Sequence, residues 1–98
     1  MTALAILWTA PALADLAAIR DHIAANDPRA AAKIAQALID AVDRLQTLPR
    51  RGRPGRAAGT RELILAGWPW LIVYEAGRET VTILRVLHGA RAPEPKDD

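Results

Sequence analysis

The 98-residue chain has 13 Lys and Arg against 11 Asp and Glu, a formal net charge of +2, and 51% of its residues are hydrophobic. Such a length fits one domain around one core, and the small net charge makes local patches, not the total, decide what anions the protein attracts. With no cysteine, disulfides, thiolate nucleophiles and Cys-type zinc sites are excluded, and two widely separated histidines, His22 and His88, argue against a His-based metal site. No cofactor is expected. Without Phe and with only 4% aromatic residues, the core must come from Leu, Ile, Val and three Trp.

The first element is the run "ALAILW" at 3–8, of strand length and rich in Ile, Leu and Trp. The Ala12-Leu13-Ala14 that follows mimics a signal-peptide cleavage site, but no Lys or Arg precedes Arg20. Pro11 also interrupts a run too short to span a membrane. A cytoplasmic protein with no membrane segment is therefore expected. Thr9 offers an N-cap oxygen and Pro11 falls in the first helical turn, where its missing N–H costs nothing. Leu13, Leu16, Ile19 and Ile23 then repeat at helical spacing, leaving Asp15, Arg20 and Asp21 to face water and His22 as a solvated surface residue.

Asn26-Asp27-Pro28 breaks that helix and starts another, with Asp27 as cap and Pro28 in its first position. Ala31, Ile34, Ala35, Leu38, Val42 and Leu45 form its apolar stripe, with Arg29, Lys33, Gln36, Asp40 and Arg44 on other faces. Leu48-Pro49 closes it. Alanine-rich facing stripes let two helix axes approach closely, so the pair reads as an antiparallel hairpin.

The segment "LPRRGRPGRAAGTREL", 48–63, sets Arg50, Arg51, Arg53, Arg56 and Arg61 against a single acid, Glu62. Mutual repulsion favours exposure, where salt screens the penalty over about 8–10 Å. Two readings follow: a solvated loop, or a rim that docks an anionic or acidic partner. Beyond it the period changes from 3.6 to 2. "TRELILA" (60–66), "WPWLIVYE" (68–75) and "TVTILRVLH" (80–88) are strand-like, with Gly67 and "AGRE" (76–79) as turns. Tight turns force antiparallel neighbours. The predicted fold is α+β, in the order β-α-α-β-β-β, with the helical hairpin packed on one face of a three-stranded antiparallel meander. One domain is expected over 1–91, followed by a polar tail over 92–98.

In "APALADLAAIRDHIAANDPRAA", "LQTLPRRGRPGRAAGTREL", "WLIVYEAG" and "VTILRVLHGAR" the chain resembles the RelE/ParE superfamily, the toxin halves of bacterial type II toxin–antitoxin modules. The likeness runs over nearly the whole chain in the order that superfamily would have. It implies a toxin neutralised by a cognate antitoxin, and two kinds of target. RelE-like members cut messenger RNA on the ribosome without metal; ParE-like members inhibit DNA gyrase by binding.

Metal-independent RNA cleavage needs activation of the ribose 2′-hydroxyl, charge neutralisation at phosphorus and protonation of the leaving oxygen. The resemblance places Arg61 in "GTREL" and Arg85 in "ILRVLH" where RelE-like sequences have phosphate-stabilising arginines, and His88 has the right chemistry for a proton carrier. Against that assignment, Arg61 has Glu62, Glu75 or loop carbonyls as structural partners. Arg85 interrupts the Val81, Ile83, Leu87 face and needs a carboxylate whatever its function. Strict alternation puts His88 with Thr82, Leu84 and Val86, opposite Arg85. The lysine-rich stretch and C-terminal tyrosine of RelE-like enzymes are missing: the only lysines are Lys33 and Lys96, and Tyr74 lies mid-strand. Arginine cannot take their proton-transfer role at neutral pH. The equipment thus favours a ParE-like toxin that binds gyrase, with Arg50, Arg51, Arg53, Arg56 and Arg61 as the anion- or partner-binding set. The alternatives are an mRNA endoribonuclease using Arg61, Arg85 and His88, and a non-toxic module member that retains only partner binding.

Overall fold

A computed structural model describes residues 3–65 and 67–89, so the expected tail at 92–98 lies outside the described residues. Strand β1 (Ala5–Trp8) leads into helices α1 (Ala10–Ala24) and α2 (Pro28–Asp43), and a 3₁₀ turn at Arg44–Gln46 extends the second helix. Strands β2 (Arg53–Pro54), β3 (Arg61–Ile64), β4 (Trp70–Ala76) and β5 (Thr80–His88) follow. Both helix starts are built as the sequence prescribes. Thr9 Oγ1 accepts from the Ala12 N–H, Asp27 Oδ1 accepts from the Ala30 N–H, and each helix has proline in its first turn.

The five strands form one sheet in the order β1-β5-β4-β3-β2. The meander is antiparallel as expected; the sheet as a whole is mixed, because β1 pairs in parallel with the first half of β5, Ala5 opposite Thr80 through Trp8 opposite Ile83. The two-residue β2, inside the segment that reads as an arginine loop, pairs Arg53 with Glu62 and Pro54 with Arg61. Pro54 lacks an N–H and sits on the outermost strand, where none is needed for the ladder.

The helical hairpin buries Ala12, Ile34, Leu38, Val42 and Leu45 against Leu63, Ile72, Tyr74, Val81, Ile83 and Val86 of the sheet. The α2 stripe faces the core as its periodicity predicts. In α1, Leu16, Ile19 and Ile23 of the expected stripe pack against the core, but Leu13 is 52% exposed while Ala12 is fully buried. Asp15, expected to face water, instead turns toward β5. The physical cause lies in the sheet. Because β1 stops at Trp8, β5 has no strand neighbour on that side beyond Ile83, and its Val86 N–H needs an acceptor. Asp15 Oδ2 supplies it at 2.9 Å.

A bulge in β5 changes which residues face inward. Val73 lies opposite Arg85 and Tyr74 opposite Ile83, so Leu84 is the extra residue. Val86, not Leu87, therefore joins Val81 and Ile83 in the core, and Thr82 no longer shares a face with Val86 and His88. Thr9 clamps the bulge, its backbone N–H donating to the Ile83 carbonyl and its hydroxyl placed to donate to the Ile83 and Leu84 carbonyls at 2.8 and 3.2 Å. One residue caps α1 and fixes β5.

Candidate anion and partner-binding site

The arginine segment is built around two buried anchors. The first is Tyr74, fully buried in β4, whose hydroxyl donates to the Pro49 carbonyl at 2.8 Å and accepts from the Gly52 N–H at 2.8 Å. A phenol in an apolar core needs a partner for its O–H. Here it satisfies both sides of a short arch, with Arg50 and Arg51 at the crown. A Cβ on Gly52 would come within 2.7 Å of the Tyr74 hydroxyl oxygen, so only glycine lets the chain approach this closely. Arg61 Nη1 donates to the Gly52 carbonyl at 2.8 Å and completes the anchor.

The second anchor is Glu62, a carboxylate only 5% exposed. It takes Arg53 Nη2 at 3.3 Å, the Arg56 backbone N–H at 3.1 Å and Arg56 Nε at 3.6 Å. A buried carboxylate is tolerable only with such compensation. Two guanidinium groups on one carboxylate leave one positive charge uncompensated. The turn that carries Arg56 back to β3 is closed by Gly55 N–H to the Thr60 carbonyl and by Gly59 with φ +79°.

The five arginines thus separate. Arg53 and Arg56 share Glu62, and Arg61 is spent on a loop carbonyl, one of the partners the sequence offered it. Arg50 and Arg51 are exposed and engage no described residue through their guanidinium groups. They line a shallow notch with Thr47, Leu48 and Pro49, in which Leu48 is 55% exposed.

The three residues of the nuclease alternative do not converge. Cross-strand register puts Arg61 on the same sheet face as Tyr74 and Ile83, the helix-covered face, while Arg85 lies opposite Val73 on the other. Arg85 finds its carboxylate in Asp15, with Nε to Oδ2 at 2.7 Å and Nη2 to Oδ1 at 3.0 Å. This fork raises the Arg85 pKa, first through hydrogen bonding and then through Coulombic attraction. His88 pairs across the ladder with Trp70, their rings edge to face at 5.3 Å. The two line a groove of about 530 Å³ between α1 and β5 with Asp15, Ile19, His22 and Val86. His22, exposed as the sequence suggests, thereby shares a groove with His88, an encounter that no local pattern signals. The Trp70 Nε1 is buried there without a partner among the described residues. No group of three or more His, Cys, Asp or Glu among the described residues is arranged to hold a metal ion, and no described helix is long and apolar enough to cross a membrane.

A strand, a helical hairpin and a bulged meander make up an architecture shared with proteins of a known family. The family model described as the ParE toxin of the type II toxin–antitoxin system parDE matches residues 6–93. The chain belongs to this family, within the RelE/ParE superfamily. It is similar to the protein Y4kP of Sinorhizobium fredii, 46% identical over 83 residues and 85% of each chain. It is also similar to toxin RelE2 of Caulobacter vibrioides, 43% identical over 88% of this chain and 96% of the other. A chain from the chromosomal ParDE toxin–antitoxin system of P. aeruginosa superposes with a TM-score of 0.80 at 33% identity, covering 87% of this chain and 95% of that one.

Proposed function

We propose that this toxin acts by binding, with DNA gyrase as its target in the cytoplasm, and is neutralised by a cognate antitoxin. The observation that carries the reading is the separation of Arg61 and Arg85. Strand register gives them opposite faces, and their guanidinium groups are tied to separate partners, Arg61 to the Gly52 carbonyl beside β2 and Arg85 to Asp15 of α1 at the open edge of β5. Stabilising a pentacoordinate phosphate requires donors that converge on one point, and these two arginines do not. The match to the ParE family model and the likeness to a ParDE system support the same side of the superfamily. The likeness to a chain of a ParDE toxin–antitoxin system also supports a partner antitoxin.

The test is induction of the isolated chain in a host followed by two readouts. Loss of plasmid negative supercoiling in the induced host, with transcripts intact, is the expected result. Codon-positioned cuts in messages, mapped by their 5′ ends, would establish the endoribonuclease alternative instead. Normal growth on induction would leave only the non-toxic, partner-binding member of a module.

A further inference from the structure

We infer that the Pro49–Gly52 arch is a docking point for the antitoxin, and that it takes an acidic segment carrying an apolar side chain. This rests on the toxin–antitoxin reading above. Arg53, Arg56, Arg61 and Arg85 are each held by a carboxylate or a carbonyl of the chain itself. Arg50 and Arg51 are not, and both sit at the crown of an arch whose two feet share one hydrogen-bonding atom, the Tyr74 hydroxyl oxygen. The Arg51 N–H closes the arch onto the Leu48 carbonyl at 3.1 Å. The backbone that presents the two guanidinium groups is therefore held before any partner arrives, so binding has to order the two side chains but not the chain that carries them.

The notch supplies chemistry of two kinds. Leu48 and Pro49 give an apolar floor, and the two arginines give a cationic rim. A carboxylate-bearing segment with one inserted apolar residue satisfies both. A nucleic-acid backbone would use the arginines and leave Leu48 exposed. Guanidinium groups suit carboxylates because the planar fork donates two parallel hydrogen bonds.

The experiment measures the affinity of the full-length toxin for the antitoxin encoded beside it, by calorimetry at two salt concentrations. Arg50→Glu/Arg51→Glu should weaken the complex by about tenfold or more and flatten its salt dependence, as expected when two attractive exposed pairs become repulsive. Leu48→Ser should weaken it at both salts without changing the slope. Arg50→Lys/Arg51→Lys, which keeps the charge but loses the planar fork, should keep the parent's salt dependence and weaken binding less than the charge reversal does. Circular dichroism confirms that each variant is folded. Unchanged affinity in the charge-reversed and Leu48 variants overturns the docking assignment and leaves the toxin–antitoxin reading standing. So does loss of toxicity with antitoxin binding intact, which assigns the arch to the target. Failure of the parent chain to bind the adjacent gene product overturns both.

Discussion

Asp15 of α1 and Arg85 of β5, seventy positions apart, meet through two hydrogen bonds of 2.7 and 3.0 Å while the same carboxylate also accepts the Val86 N–H. One acid thus caps an open strand edge and neutralises the arginine beside the bulge. Asp15→Ala removes both roles and strands a backbone donor in the groove between α1 and β5. Urea denaturation should show a loss of about 1–3 kcal/mol, the range for an orphaned buried hydrogen-bonding group. Arg85→Ala leaves the Val86 N–H satisfied and should cost less.

The pH dependence of that link has a definite sign. Asp15 raises the Arg85 pKa, so the contribution linked to arginine protonation is fully present below the unfolded-state value and is lost only as pH rises through the higher folded one. Both values lie in the strongly alkaline range. The stability difference between the parent and Arg85→Ala, followed by thermal melts from about pH 6 to 10, should therefore be flat, since arginine stays charged throughout. A slope across that window would show that another titrating group controls the contact.

Tyr74→Phe deletes a single oxygen and leaves the Pro49 carbonyl and the Gly52 N–H without their partner. The expected cost is about 1–3 kcal/mol. Amide exchange should report it locally as faster exchange at Gly52 and through the arch. Gly52→Ala should open the same segment by a different route, since the added Cβ would crowd the Tyr74 ring at 2.9 Å and the Glu62 carbonyl at 3.0 Å.

Glu62→Ala releases Arg53, the Arg56 side chain and the Arg56 N–H together. The turn between β2 and β3 should loosen, which limited trypsin digestion would read as faster cleavage after Arg56, the Arg53–Pro54 bond being resistant to trypsin. Cleavage after Arg50 and Arg51 should change less, because the Tyr74 hydroxyl still holds that part of the segment.

The two helices give a paired stability test. Leu38→Ala empties a fully buried site in α2 and should cost about 2–5 kcal/mol. Leu13→Ala, at a half-exposed site that hydrophobic spacing alone would place in the core, should change stability by about 0.5 kcal/mol or less. Equal losses at the two sites would mean that α1 is rotated differently from the structure.

The sequence by itself determined every element but the two-residue β2, and most of the core. Thr9, Pro11, Asp27 and Pro28 are local helix-start signals, the α2 stripe repeats over enough turns to define its buried face, and the turns at Gly67 and "AGRE" leave the last three strands no choice but an antiparallel meander. These features depend on residues within a few positions of one another. Only the tertiary structure decided the parallel seat of β1 beside β5, the bulge at Leu84, and the turning of Asp15 from water to a strand edge. It also decided how the arginines divide. Their number and spacing are visible in 48–63, but which of them remain free depends on how that segment folds back to pair β2 with β3 and on where Tyr74 arrives from β4. The reason is physical: an unpaired edge N–H or a buried carboxylate takes whatever complementary group the fold brings within reach, and that group's distance along the chain is not constrained by local periodicity.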